Sequence, residues 1–327
     1  MFFRRLGLPL VLVFLFAGVG FARAPDRVVY YFDWFPGPQF IGLFAAQQQG
    51  FFKEENLQVE TVPFAFGQNA AKIISDADSA TCALGTIEGY IFLQRRAAGF
   101  DLKAMAATLQ ESPAGFMSLK KSGIGSARDF AGHRIGVHKF TEAIYRWFLQ
   151  QANVRESDAT MVLVQNDVGQ LIRGEVDAMQ GFAVEEFVQI QNETKGQGRF
   201  LSFAELGFSS YSQVFFTTQP MIDHHADELK RFFSAVRRGW VWSFSHPAEA
   251  ARLLRTRCPE LEPQIASASL QALKAYVCPG DQLPLARMDE EKWALIENRA
   301  QKIGLINHPE PVESFLRVDI VDEKGRR

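Results

Sequence analysis

The sequence predicts an α/β fold in two facing lobes, each a mostly parallel sheet flanked by helices, with two hinge crossings between them. Three observations carry this. From residue 28 onward, β-branched and aromatic runs alternate with amphipathic ones. One unit (helix exit, acidic turn, apolar strand, glycine tip) occurs at 76–85 and again at 174–181. Finally, about 300 residues follow an export leader, enough for two cores of ordinary size.

The leader has the order of a secretory signal. Arg4 and Arg5 precede an uncharged apolar run at 6–21, and Ala22-Arg23-Ala24 supplies the small-x-small exit. The run is shorter than the ~20 residues that span a bilayer, and no cysteine stands near the exit for a lipid anchor. Cleavage after Ala24 and a periplasmic mature chain are expected.

Residues 28–32, Val-Val-Tyr-Tyr-Phe, read as the first strand. Asp33-Trp34-Phe35-Pro36-Gly37-Pro38 must be a loop, because its prolines and glycine break either regular structure. Residues 39–50 have helical spacing and end on Gly50. A strand at 57–64, a helix at 68–75 and a buried strand at 80–84 follow. In the second lobe, strands are predicted at 132–137, 161–164 and 176–180, with helices at 141–152 and 168–173. Helices at 226–244, 247–257, 263–276 and 289–303 complete the chain. The crossings are placed at 112–116 and 212–220, giving a signal at 1–24, a first lobe of 25–113 plus 219–327, and a second of 114–218.

Composition excludes several functions. The formal charge is −2 and no basic cluster interleaves with aromatics, so no nucleic-acid partner is expected. The six histidines are scattered, and the three cysteines form no ligand pattern, so no metal and no cofactor are expected. Cys258 and Cys278 stand either as two thiols or as one disulfide; Cys82 reads as a small buried residue. No nucleophile–base pair shows itself by spacing, and Gly123-Ile124-Gly125 is too short for a phosphate loop.

A set of ordered motifs carries a family resemblance over 28–315. It comprises Asp33-Trp34-Phe35-Pro36, Gly42-Leu43-Phe44-Ala45-Ala46, and Gly50-Phe51-Phe52-Lys53-Glu54-Glu55-Asn56-Leu57. Leu109-Gln110-Glu111-Ser112-Pro113, Gly132-His133-Arg134-Ile135-Gly136-Val137, Gly174-Glu175-Val176-Asp177-Ala178 and Arg238-Gly239-Trp240 continue it. The chain resembles the periplasmic binding proteins related to thiamine-pyrimidine-precursor synthases, alongside the sulfonate and nitrate binders. The resemblance implies the type 2-like periplasmic binding fold, hinged closure on a small-molecule ligand, and delivery by a monomer to an ABC permease of the inner membrane. The Asp-Trp-Phe-Pro start points to a thiamine pyrimidine precursor; a sulfonate or a flavin precursor is the alternative. Gly37 and Phe40 stand where pyrimidine binders of the group carry asparagine and histidine, so two polar groups are replaced.

The fungal members of the group build the pyrimidine from pyridoxal phosphate and a histidine of their own chain, using a lysine and a cysteine-rich segment. Here Gly85-Thr86-Ile87-Glu88-Gly89-Tyr90 lacks lysine and histidine, and Phe208-Ser209-Ser210-Tyr211-Ser212-Gln213 lacks cysteine. An imine requires an amine. The expectation is therefore a binder that is not an enzyme.

The implied ligand site joins Asp33 and Trp34 of the first loop, Phe66 and Gly67 before a helix, Thr86 and Glu88 after a strand tip, and Thr141. From the second tip come Gly181, Phe182 and Glu185, with Tyr211 as a further stacking ring. A planar ligand needs a ring to stack on and polar groups at its edge. Glu185 is the acid suited to an aminopyrimidine edge. The plain alternatives are a helix-capping Trp34, dipole-favoured surface acids at Glu185 and Glu88, and a simple N-cap at Thr141.

Overall fold

A computed structural model describes residues 23–165 and 167–321. Of the signal expected at 1–24, residues 1–22 lie outside the described residues. Among those described, no helix is long and apolar enough to cross a membrane.

The first lobe opens with β1 (Asp26–Tyr31), α1 (Ile41–Gln48), α2 (Phe51–Glu54) and β2 (Leu57–Val62). It continues with α3 (Ala70–Asp76), β3 (Cys82–Ile87), α4 (Gly89–Ala97) and β4 (Leu102–Leu109). The chain then crosses into β5 (Ala114–Leu119), β6 (Arg134–Val137), α5 (Glu142–Gln151) and β7 (Thr160–Leu163). That lobe ends with α6 (Gly169–Ile172), β8 (Ala178–Phe182), α7 (Glu186–Glu193) and β9 (Gly198–Ser202). The return supplies β10 (Ser212–Thr218), then α8 (Gln219–Ser245), α9 (Pro247–Arg257), α10 (Pro263–Val277) and α11 (Glu290–Ile303).

The two sheets have one topology. Their orders are β2-β1-β3-β10-β4 and β7-β6-β8-β5-β9. In each, three strands run parallel, and the first strand after a crossing enters antiparallel beside the third. The two-lobed α/β expectation holds, and each sheet is mostly parallel but mixed, with one strand of five running against the other four. The reason is the crossing itself, which delivers β5 and β10 from the other lobe and so reverses their direction. It also moves a boundary: β10 pairs with β3 and β4, so residues 212–218 belong to the first lobe and not to a second lobe of 114–218. Of the first crossing, placed at 112–116, residues 114–116 lie in the fully buried strand Ala114–Leu119.

The packing follows from the apolar faces. Tyr30, Phe32, Phe40, Phe44, Phe215, Phe232 and Trp240 share the core on one face of the first sheet. Phe92, Trp293 and Phe315 meet on its other face. Helix α8 is kinked at His225, one residue before the start expected for that helix at 226. Its ring nitrogen Nε2 lies 2.7 Å from the Ser79 carbonyl.

The C-terminal helices reach both lobes. Helix α10 packs on α7, and α11 on α5, where the Arg299 guanidinium sits 4.7 Å from the Trp147 ring. Val184, just past the β8 tip, is buried in the first lobe's core cluster.

Helices α1 and α8 approach unusually closely. A Cβ on Gly239 would lie 2.0 Å from the Gly42 carbonyl oxygen, and one on Gly42 would strike the Trp240 indole at 2.3 Å. Both obstacles are fixed, one by backbone and one by packing. Alanine at Gly239 gains ~1 kcal/mol of helix propensity, but overpacking costs about 1–3 kcal/mol beyond that when the neighbour cannot yield. Gly239→Ala should therefore lower the urea midpoint, with an unchanged slope, in an equilibrium unfolding titration.

Candidate functional site

The two crossings run side by side and share their polar groups. The Ser112 N–H donates to the Ser210 carbonyl at 2.7 Å. Glu111 accepts from the Ser209 hydroxyl, from the Ser210 N–H at 3.0 Å, and from Lys292 Nζ at 3.0 Å. Glu88, just before α4, accepts from the hydroxyls of both Ser112 and Ser212. Next to it, the Gly89 N–H donates to the Tyr211 carbonyl at 2.9 Å. A Cβ on Gly89 would lie 2.8 Å from that same oxygen, so only glycine lets α4 begin against the second crossing.

In front of this hinge a cavity of about 540 Å³ opens between the lobes. From the first lobe it is lined by Asp33, Trp34, Phe64, Phe66, Gly67, Thr86, Glu88 and Gln213, and along α4 by Tyr90, Ile91 and Arg95. His138, Phe140, Gln180, Gly181, Phe182 and Glu185 line it from the second.

One wall is aromatic. The Trp34 ring lies 5.3 Å from Phe64, inclined by 36°, and 6.4 Å from Phe66, edge on. Phe35 and Phe66 meet at 5.5 Å. Phe66 is 77% exposed and Phe140, on the other lobe, 51% exposed, so both lobes present an uncovered phenylalanine at the cleft. The loop bearing Trp34 is pinned from behind, where the Cys258 thiol donates to the Pro36 carbonyl at 3.1 Å. Cys258 and Cys278 are not joined by a disulfide.

The floor is acidic. Asp33 accepts from the Thr86 hydroxyl at 2.9 Å and from Gln213 Nε2 at 3.0 and 3.1 Å. Thr86 is in turn 2.8 Å from the Tyr30 hydroxyl. Gln213 holds a left-handed backbone, φ 53°, to reach this position. Burial raises the Asp33 carboxyl against these hydrogen bonds. Glu88 is pushed up to about 8, chiefly by burial, with the charges of Asp33 and Glu111 adding and the two serine hydroxyls opposing.

The opposite lip holds an acid pair with different duties. The buried Glu186 folds back to accept the Phe182 N–H at 2.8 Å. The Glu185 carboxyl accepts no hydrogen bond among the described residues, and the residue lines the cavity. Burial first, then the charges of Glu186 and Glu260, push it up to about 8. At the β8 tip that carries it, a Cβ on Gly181 would meet the end of the Met117 side chain, 2.4 Å from its Cε.

Nine of the eleven residues singled out from sequence line this cavity: Asp33, Trp34, Phe66, Gly67, Thr86, Glu88, Gly181, Phe182 and Glu185. Thr141 and Tyr211 do not. The Thr141 hydroxyl is buried on Gln180 Oε1 and the His138 carbonyl, fixing the amide that lines the cleft. Tyr211 is core, its ring 5.4 Å from Trp293 and its hydroxyl accepting the Asp289 N–H at 2.7 Å. Sequence reading missed Phe64, Arg95, His138, Gln180 and Gln213. Gln213 ends a stretch already noticed, 208–213; Arg95 and His138 carried no pattern of their own.

Comparison with known proteins follows this geometry. A family model described as NMT1/THI5 like matches residues 37–250. The chain is similar to a curated 4-amino-5-hydroxymethyl-2-methylpyrimidine phosphate synthase of Legionella pneumophila, with 24% identity over 292 residues, covering 86% of this chain and 88% of that one. It is similar to the Saccharomyces cerevisiae synthase THI13 at 24% identity over 266 residues, 77% of each chain. In structure it is similar to the periplasmic aliphatic sulphonate binding protein SsuA of Escherichia coli, with a TM-score of 0.67, 15% identity, and coverage of 90% and 92%. These findings overturn one expectation from sequence, that the chain is not an enzyme: its curated relatives over most of its length are named as synthases.

The Glu88 acid generates a stability prediction. Its proton is held to about 8 in the fold against 4.5 ordinarily, so between those values the folded state binds the extra proton. Its contribution is full below the lower value and is lost as pH rises through the upper one. Glu88→Gln removes the titration and should gain about 2–4 kcal/mol relative to the parent between about pH 5 and pH 9. Paired urea titrations across that range read the difference; parallel curves would remove the buried acid.

Proposed function

The chain belongs to the NMT1/THI5-like family, and from that premise we propose that it captures a small, planar, donor-rich heteroaromatic compound of the thiamine-pyrimidine kind. Capture takes place between the lobes, and the chain serves as the periplasmic solute-binding component of an ABC importer. The observation that carries this reading is the unpartnered Glu185 carboxyl on the lip of the second lobe, in the same cavity as the Trp34–Phe64–Phe66 wall of the first. A flat ring stacks on the wall while its amine and a protonated ring nitrogen donate to the carboxylate. Such a ligand touches both lobes and so favours their closed arrangement. Asp33 and Glu88 add further carboxyls on the floor, which suits donors and opposes a compact sulfonate bound alone.

A second reading is the activity named for the relatives, synthesis of the pyrimidine phosphate. His138 favours it: it places an imidazole on the cavity lining, with its pKa lowered by burial. The group's aldehyde reactant, pyridoxal phosphate, does not fit as a covalent partner, because none of the lining residues is a lysine. No step is derived through it.

Calorimetry with 4-amino-5-hydroxymethyl-2-methylpyrimidine tests the binding reading. Trp34→Ala and Glu185→Gln should each weaken binding by about 10–100-fold, as loss of a stacking face or a charged hydrogen bond costs roughly 1.5–3 kcal/mol. Unchanged affinity in both variants would sink the assignment. Incubation with pyridoxal phosphate and mass spectrometry for the pyrimidine phosphate, with His138→Gln as control, tests the second reading.

A further inference from the structure

Two acceptors of the first lobe are left unpaired at a cost to the fold. Among the described residues, the buried polar side-chain atoms without a hydrogen bond include two carbonyl oxygens on residues that line the interlobe cavity, Gln39 Oε1 and Gln213 Oε1. A buried acceptor without a donor destabilises the molecule, so each calls for a reason.

Gln213 is 5% exposed. Its Nε2 donates to both oxygens of Asp33, at 3.0 and 3.1 Å. Only the N–H end of an amide can meet a carboxylate, so Asp33 fixes which way the amide is turned and leaves its carbonyl unspent. Asp33 is itself steadied by the Thr86 hydroxyl. The Gln213 backbone, near the start of β10, is held in the left-handed region at φ 53°, a second cost at the same residue.

Gln39 follows the loop that carries Trp34. As a residue it is half-buried, but its Oε1 is closed to solvent. The amide folds back over Gly37, where a Cβ would lie 2.3 Å from that oxygen. Gly37 is extended, φ −159°, a conformation open to any residue. Glycine therefore serves space here and not conformation, and the Gln39 amide fills the space.

We propose that Gln213 and Gln39 are ligand-reading residues, kept as bare carbonyl acceptors, with Asp33 positioning the first. The ligand then carries an uncharged or cationic O–H or N–H donor on the edge it turns to the first lobe. This rests on the heteroaromatic reading and deepens it, since that reading gives the amine and ring nitrogen to Glu185. An anionic arm finds no donor in these carbonyls, and it is opposed by Asp33 and by Glu88, which accepts from Ser212 next to Gln213.

The test is calorimetry on the mature chain with two probes that differ in one donor, 4-amino-5-hydroxymethyl-2-methylpyrimidine and 4-amino-2,5-dimethylpyrimidine. The parent should bind the hydroxymethyl compound about 3–10-fold more tightly, the worth of one hydrogen bond to a neutral acceptor. The double variant Gln39→Met with Gln213→Met should lose that preference. Asp33→Asn should erode it, because an asparagine amide can donate to the Gln213 carbonyl and capture it. Gly37→Ala should erode it by displacing the Gln39 amide. Glu185→Gln should weaken both probes alike and keep the preference, which separates the two assignments. Without ligand, Gln39→Met should melt no lower than the parent; a lower value makes that amide structural and overturns its role. A preference absent from the parent, or intact in the double variant, overturns the proposal while the ring reading stands. If neither pyrimidine binds, the ring reading falls, and benzamidinium, a flat N–H donor, decides the carbonyls. It should raise the parent's melting temperature more than the double variant's, and equal shifts, including none, overturn the proposal.

Discussion

Everything in this molecule turns on the place where α4 begins. There Glu88 holds a serine hydroxyl from each crossing, and the Gly89 N–H holds the carbonyl of Tyr211 between them. Two chain segments about a hundred residues apart are thus bound to one helix start. Both lobes take their orientation from them, since β5 and β10 continue directly from the crossings into the two sheets. The same Glu88 carboxyl also lines the ligand cavity. A single acid therefore belongs both to the hinge and to the floor that a ligand would meet, so charge placed in the cleft and the state of the crossings are coupled by contact.

The cavity divides its chemistry by lobe. The first lobe supplies the stacking wall and a floor whose acids are already engaged by Thr86, Gln213 and two serines. The second supplies an acid, Glu185, whose hydrogen-bonding capacity is unspent because the adjacent Glu186 takes the local N–H. Engaged groups shape and orient; unengaged groups recognise. By that criterion Glu185 is the residue whose missing partner most narrowly describes a ligand.

Much of this was legible in the sequence, for identifiable reasons. The parallel strands and their helices show as local periodicity, and the tips at Gly85 and Gly181 show as glycines after apolar runs. Trp34 and Glu185 follow from position relative to those elements. What escaped was non-local. Nothing local marks β10 as a first-lobe strand, because its partners β3 and β4 lie more than a hundred residues away. Tyr211 reads like a cleft ring, yet its neighbours Trp293 and Lys292 come from the end of the chain. Arg95 looks like an ordinary cation at a helix C-terminus, and only the fold places it on the cleft lining. The expectation of a non-enzyme rests on two stretches, 85–90 and 208–213, whereas an imidazole, that of His138, lines the cleft from the other lobe.

The insertion of β10 between β3 and β4 has a kinetic consequence. The second lobe is one continuous piece of chain from β5 to β9, so its sheet can form from local contacts. The first cannot: its sheet keeps a gap until residues 212–218 are available, and closing so long a loop is slow. During synthesis the N-terminal third of the chain therefore has no finished structure to adopt. If the leader read at its start directs export, that delay keeps the segment next to it unfolded and able to thread a secretion channel. The order of strands in the sheet then acts as a clock on folding.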